Sequence, residues 1–174
     1  MLFRSPHYTG TLPEKPADVS HSYTFAGWDP AVMTVTGDAT YKAKYDQTVN
    51  TYLVTFVDED GTELQSDRYA YGTPAADIAQ PANPTKTSDA QYTYSFAGWT
   101  PAIAEVTGDA MYRATYDAVL RQYTVTFLDD DGTELGRDLY PYGTLAADIV
   151  RPQDPEKTSD AQYHYTFEIG RAHV

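Results

Sequence analysis

The chain contains no cysteine. That absence removes a disulfide framework, a thiolate metal site and a cysteine nucleophile. Positive charge is also scarce: 12 Lys and Arg stand against 25 Asp and Glu, a formal net charge of −13. Nucleic acids and anionic membranes both attract Lys and Arg, so this balance argues against either as a partner. No apolar run approaches the roughly 18–20 residues of a membrane span, so no membrane insertion is expected. Leu and Ile are few, and Trp occurs only twice and Phe six times. What is abundant is Tyr, with 16 copies. Tyr, Thr and Val suit pleated, half-exposed strands rather than helices.

These residues recur at a fixed interval. Tyr52-Leu-Val-Thr-Phe56 returns as Tyr123-Thr-Val-Thr-Phe127, and Lys86-Thr-Ser-Asp-Ala-Gln-Tyr92 returns as Lys157-Thr-Ser-Asp-Ala-Gln-Tyr163. Residues 52–96 and 123–167 share 30 identities in 45 positions without a gap, a period of 71. Phe25-Ala-Gly-Trp28 precedes Phe96-Ala-Gly-Trp99 by the same 71. A fixed period means one supersecondary unit used several times. A surface shown repeatedly along a chain suits spacing or multivalent contact better than catalysis.

The two ends depart from the repeat. Glu168–Val174 stands where the period demands Ala-Gly-Trp, and it looks like the translation of a sequencing adapter, GAG ATC GGA AGA GCA CAC GTC. Met1–Ser5 looks like the opposite strand of the same adapter, with GTG read as a start codon. Residues 1–5 and 168–174 are therefore expected to be adapter-derived and are set aside from fold reasoning. Without them the balance is 10 basic to 24 acidic residues. The expected division is repeat 1 over 6–46 (truncated at its start), repeat 2 over 52–117 (complete) and repeat 3 over 123–167 (truncated at its end).

Each repeat reads as mostly β structure. Tyr123, Val125 and Phe127 alternate with Thr124 and Thr126, the period of a half-buried strand. Asp129-Asp-Asp-Gly-Thr133 is a turn signal, and Gly132 is free to take positive φ. The next strand ends near Pro141, which cannot donate to a ladder. Thr73 and Pro74 can cap and start one helical turn before Ile78, and Pro81 and Pro84 stop it. Tyr92, Tyr94 and Phe96 alternate again, Val106-Thr-Gly-Asp109 turns the chain, and Tyr112, Ala114 and Tyr116 line the closing strand. The order is two strands, a short helical or irregular crossover, then two or three strands. A unit of about 66 residues buries only a small core. The connectors Gln47–Thr51 and Ala118–Gln122 are short and hold neighbouring repeats close.

Together these elements resemble a known family. Tyr-x-Val-Thr-Phe, Asp-Gly-Thr, Tyr-Gly-Thr, the Pro-x-x-Pro segment, Tyr-x-Phe-Ala-Gly-Trp and Val-Thr-Gly-Asp-Ala-x-Tyr are similar to the internalin-type B-repeat, also called the Listeria–Bacteroides repeat. The resemblance covers essentially all of 6–167. It implies a small β-grasp-like fold in tandem on secreted, wall-attached bacterial proteins, an extracellular location, no catalysis, and a role as stalk or adhesive module.

Candidate chemistry is sparse. Asp58, Asp60, Asp129 and Asp131 stand beside Gly like the opening of a calcium loop. A full loop needs a bidentate Glu at its twelfth position, where this chain has Tyr69 and Tyr140. The turn reading is preferred, with calcium as the weaker alternative. His7, His21, His164 and His173 are scattered without zinc spacing. No nucleophile elbow or phosphate-cradling loop occurs, so neither an enzyme nor a cofactor is expected. Trp28 and Trp99 can cap the core or, with Tyr92 and Tyr94, stack on a sugar ring. The core reading is preferred, with Trp28, Trp99, Phe25, Phe96, Phe56, Phe127, Tyr94 and Tyr112 as its members. The partners that fit are neighbouring repeats, and a host protein or surface glycan if the aromatics are exposed.

The incomplete loop makes a first prediction. Thermal unfolding should have the same midpoint in EDTA and in millimolar calcium. A calcium-dependent rise would turn the Asp-rich turns into a metal site.

Overall fold

A computed structural model describes residues 11–157, 159 and 161–166. The expected adapter-derived ends, His7, His173 and the Tyr8–Gly10 segment lie outside the described residues. The chain is mostly β. It divides into two compact units, one built from 11–84 with 96–115 and the other from 85–95 with 116–166. No helix among the described residues is long and apolar enough to cross a membrane.

The complete repeat forms a four-stranded sheet. β3 (Thr51–Val57) and β4 (Glu63–Ala70) form an antiparallel hairpin, with Thr51 opposite Ala70 and Val57 opposite Glu63. Its turn is closed by Gly61 N–H donating to Asp58 O at 3.0 Å and Asp58 N–H donating to Thr62 O at 2.8 Å. Gly61 sits at φ 92°, where a side chain would be strained. The crossover is a single 3-10 turn over Ala75–Asp77. β5 (Tyr92–Thr100) and β6 (Ala110–Leu120) complete the sheet in the order β4-β3-β6-β5, with β3 and β6 parallel from Val54 opposite Ala110 to Val57 opposite Arg113. A parallel central pair, with β4 antiparallel to β3 on one side and β5 beside β6 on the other, follows the β-grasp order, with the helix reduced to one turn.

The expected helical turn is present, but Thr73 does not cap it. Its hydroxyl donates to Ala70 O at 2.8 Å and closes the preceding turn, and Pro74 takes the cap position with no side-chain bond. The five-residue connectors are not loops either. β2 (Lys42–Val49) is followed by β3 after Asn50 alone, and β6 by β7 (Gln122–Leu128) after Arg121 alone.

β1 (His21–Asp29) and β2 form a two-stranded antiparallel sheet in the first unit. Its register slips between Phe25 and Gly27, and Gly27 sits at φ 121°. Gly98, 71 residues on, sits at φ 133°, so the Ala-Gly-Trp element is a bulge that only glycine accommodates without strain. In the second unit β7 pairs with β8 (Glu134–Pro141), followed by a 3-10 turn over Ala146–Asp148.

The core lies in the complete repeat. Val54, Phe56, Ile78, Val106 and Tyr112 are buried together, and Tyr52, Tyr69, Trp99, Ile103 and Ala110 pack against them. Of the expected core residues, Phe56 and Tyr112 are buried, while Trp28, Trp99, Phe25, Phe96 and Phe127 are half-buried. Tyr94 is also half-buried, and of these half-buried residues Trp99 packs against the cluster while Trp28, Phe25, Phe96, Phe127 and Tyr94 lie outside it. The aromatic pattern does not predict the valine and isoleucine members Val54, Ile78 and Val106.

Equivalent side chains should therefore differ in worth. Phe56→Ala should destabilise by about 3–5 kcal/mol, as truncation of a buried aromatic does. Phe127→Ala, at the same position of the third copy, should cost no more than about 1 kcal/mol in dilute solution, since less apolar surface covers it. Urea titrations followed by circular dichroism measure both, and equal losses would contradict this arrangement.

Candidate functional site

The Asp-rich turns spend their oxygens locally. Asp58 Oδ1 accepts the Glu59 N–H at 2.7 Å, and Asp60 Oδ1 accepts the Thr62 N–H at 2.8 Å. The second turn repeats this, with Asp129 accepting from Asp130 N–H and Asp131 from Thr133 N–H, both at 2.8 Å. The Thr62 N–H holds Asp60 below the usual carboxylate range, and the Thr133 hydroxyl and N–H do the same for Asp131. Asp129, Asp130 and Asp131 bring one oxygen each within 4.8 Å of one another. Lys157 Nζ already lies on Asp130 Oδ2, and the pair raises the Lys157 pKa. This is the arrangement of a solvated turn with a counter-ion.

The two tryptophans are packing groups. The Trp99 ring meets Phe56 edge-to-face at 4.8 Å and Phe96 at 5.1 Å, and its Nε1–H donates to Gln80 Oε1 at 3.1 Å. Trp28 meets Phe25 edge-to-face at 5.5 Å. Edge-to-face pairs at these distances are a favoured aromatic geometry. The Trp99 ring is thereby held by two aromatic neighbours and one hydrogen bond.

A third constellation is built twice, 71 residues apart, where one repeat passes to the next. In the first unit the Asp18 carboxylate accepts the Ser20 N–H and hydroxyl and the His21 N–H at 2.7–2.8 Å through Oδ1, and the Tyr23 hydroxyl at 2.8 Å through Oδ2. Lys15 Nζ stands 3.6 Å from the Tyr23 ring centre. Tyr52, the second residue of β3, donates its hydroxyl to Val19 O at 2.6 Å, and Asn50 N–H donates to Ser20 O at 2.9 Å.

The second unit carries the same clasp. Asp89 accepts the Gln91 and Tyr92 N–H groups at 2.7 and 2.6 Å and the Tyr94 hydroxyl at 2.8 Å, with Lys86 Nζ 4.3 Å from the Tyr94 ring centre. Tyr123 donates to Ala90 O at 2.6 Å, and Arg121 N–H to Gln91 O at 2.8 Å. The side chain of the single connecting residue closes each clasp: Asn50 Nδ2 donates to Asp18 O at 2.7 Å, and Arg121 Nη1 to Asp89 O at 2.8 Å. In the third copy Lys157 again lies over Tyr165, 5.0 Å from the ring centre. Its Asp160 lies outside the described residues.

Sequence reading missed this clasp, although its signal was present. Lys15, Asp18 and Tyr23 recur as Lys86, Asp89 and Tyr94 and as Lys157, Asp160 and Tyr165.

The electrostatics follow from the donors. The Ser20 hydroxyl, then the Tyr23 hydroxyl and the His21 N–H, hold Asp18 far below the usual carboxylate range. The Tyr92 N–H, then the Tyr94 hydroxyl, lower Asp89. Reciprocally, the bonds to Asp18 and Asp89 raise the phenol pKa of Tyr23 and Tyr94.

No protein-family model matches the chain, and no curated protein does. Among solved structures, one similar chain holds Streptococcal High Identity Repeats in Tandem (SHIRT) domains 3-4 from a cell surface protein. It is 22% identical, with 65% of this chain and 76% of that chain covered and a TM-score of 0.30.

The clasp sets a pH dependence. A depressed folded-state carboxylate contributes stability that is complete above the ordinary value of about 4 and is lost as pH falls through the folded value. A raised phenol contributes stability that is complete below about 10 and is lost as pH climbs through the folded value. The thermal midpoint should therefore decline on both flanks. Asp18→Asn with Asp89→Asn should flatten the acid flank, with Asp60 and Asp131 leaving a remainder. An acid flank identical to that of the unaltered chain would exclude the clasp as its source.

Proposed function

We propose that this chain is a non-catalytic, extracellular repeat region of a bacterial cell-surface protein, working as a stalk or spacer and as an adhesive interaction module. The sequence supports this through its 71-residue period and its similarity to the internalin-type B-repeat. The observation that carries the reading is the duplicated clasp. At both handovers one residue is all that separates consecutive strands, and the same carboxylate, tyrosines and lysine recur around it. A tether built for free motion has Gly- and Ser-rich segments instead. Asp18 and Asp89 are engaged in the clasps, Asp58, Asp60, Asp129 and Asp131 in turns, and Trp28 and Trp99 in packing.

Adhesion through a glycan or host protein is the second reading. It is favoured by Tyr123 and Tyr142, whose rings lie 6.5 Å apart and which stay 40% and 46% exposed. Binding on a glycan array that disappears in Tyr142→Ala would support it.

The spacer reading is tested by length. Chains of two, four and six complete repeats, labelled with dyes at their ends, should lengthen by a constant increment per repeat. Growth with the square root of repeat number, as in a flexible chain, would contradict it.

A further inference from the structure

The chain enters and leaves the complete repeat on two paired strands that point the same way. Asn50 hands the chain to β3 at Thr51, and β6 hands it to Arg121 after Leu120. β3 and β6 are hydrogen-bonded neighbours in parallel, from Val54 opposite Ala110 to Val57 opposite Arg113. Tension along the chain therefore draws β3 back toward its first residue and β6 forward toward its last. The two strands are pulled in opposite senses along one axis, and the ladder between them is loaded in shear. Every bond of a sheared ladder carries load at once, whereas a ladder peeled from one end loses its bonds singly. For the same bonds, the peeled ladder gives way under a smaller force. A hairpin alone peels: in β3–β4, Thr51 stands opposite Ala70, so a chain that left the sheet after β4 would open the pair from that end.

Side chains extend the sheared ladder at both ends. Asp109 Oδ1 accepts the Leu53 N–H at 2.8 Å, one residue before the first ladder pair. Arg113 Nη1 donates to Asp58 O at 3.2 Å and to Glu59 O at 2.7 Å, beyond the last pair. Residues 53–59 are thus tied to 109–113. Val54, Phe56 and Tyr112 of the same ladder are buried in the core, with the Phe56 and Tyr112 ring centres 5.3 Å apart. A slip of one residue turns a strand's side chains to the other face, so core packing resists the same displacement as the ladder. The segment leading into β6 is held as well: Gly72 N–H donates to Val106 O at 2.8 Å, and Val106 N–H to Thr73 O at 3.0 Å.

We propose that the complete repeat is a load-bearing element. Its β3–β6 ladder, with Asp109 and Arg113 at the two ends, resists tension along the chain far better than tension across the sheet. The proposal rests on the spacer reading for where such tension arises: a stalk that presents a partner at a distance is pulled along its length whenever the partner is pulled. The difference between the two directions follows from the sheet alone.

Single-molecule stretching of the full chain tests it in two directions. With handles at the two chain ends, the complete repeat should rupture in one step that releases up to about 240 Å, the extended length of its roughly 70 residues. The chain has no cysteine, so Thr51→Cys with Met111→Cys supplies two unique handles on exposed side chains near the starts of β3 and β6. Pulled there at the same loading rate, the ladder should peel at a several-fold lower force. Forced unfolding reads the unfolding rate under load rather than equilibrium stability, so one fold can give both values. Equal rupture forces in the two directions would overturn the proposal, as would end-to-end stretching without a discrete step of that size. Either result leaves the increment in length per repeat to be read separately, so failure of the load-bearing ladder and failure of the spacer reading are distinguishable.

Discussion

The parallel pairing of β3 with β6 is the contact on which the rest of the fold depends. It joins residues 56 positions apart, Val54 to Ala110, and sets Phe56 against Tyr112 with ring centres 5.3 Å apart. Closing so long a loop has an entropic cost that a single turn does not. Burial of Val54, Phe56, Ile78, Val106 and Tyr112 offsets it. Where the pairing exists, four strands form one sheet over one core. Where it is missing, the same sequences form two-stranded sheets with open apolar faces, because two strands cannot bury both sides of a contact.

The clasp is a second, polar constraint, and it changes how the acidity of the chain is understood. A net charge of −13 looks like a device for solubility. Yet Asp18, Asp60, Asp89 and Asp131 each accept backbone N–H groups within two or three residues and are held below the usual carboxylate range. These four carboxylates are therefore structural. A carboxylate accepts several donors at once, which a tight turn or a strand handover with unpaired N–H groups requires.

Much of this was legible in the residues alone. Strict alternation over Tyr92–Phe96 and Tyr123–Phe127 located strands, and Asp-Gly at 60–61 and 131–132 located hairpin turns, because only a few residue types tolerate those conformations. The crossover lies where the sequence predicts it, but its cap differs: the Thr73 hydroxyl donates back to Ala70 O, and Pro74 takes the cap position without a side-chain bond. The clasp was hidden because hydrogen bonds between Asp89 and Tyr94, or between Tyr123 and Ala90, depend on three-dimensional direction rather than on spacing. Core membership was read from ring size, which overlooked Val54, Ile78 and Val106. Small β-branched side chains fill the space between rings, and their burial is decided by strand neighbours that periodicity does not name.

Amide hydrogen exchange, read residue by residue in dilute solution, tests the central claim most directly. The β3–β6 pairing should protect Thr55, Phe56 and Tyr112 as strongly as any amides in the chain. Their counterparts Thr126, Phe127 and Tyr41 should exchange far faster, despite near-identical local sequence. Equal protection across the three copies would contradict the claim, because it would mean that each hairpin is stable without its parallel partner.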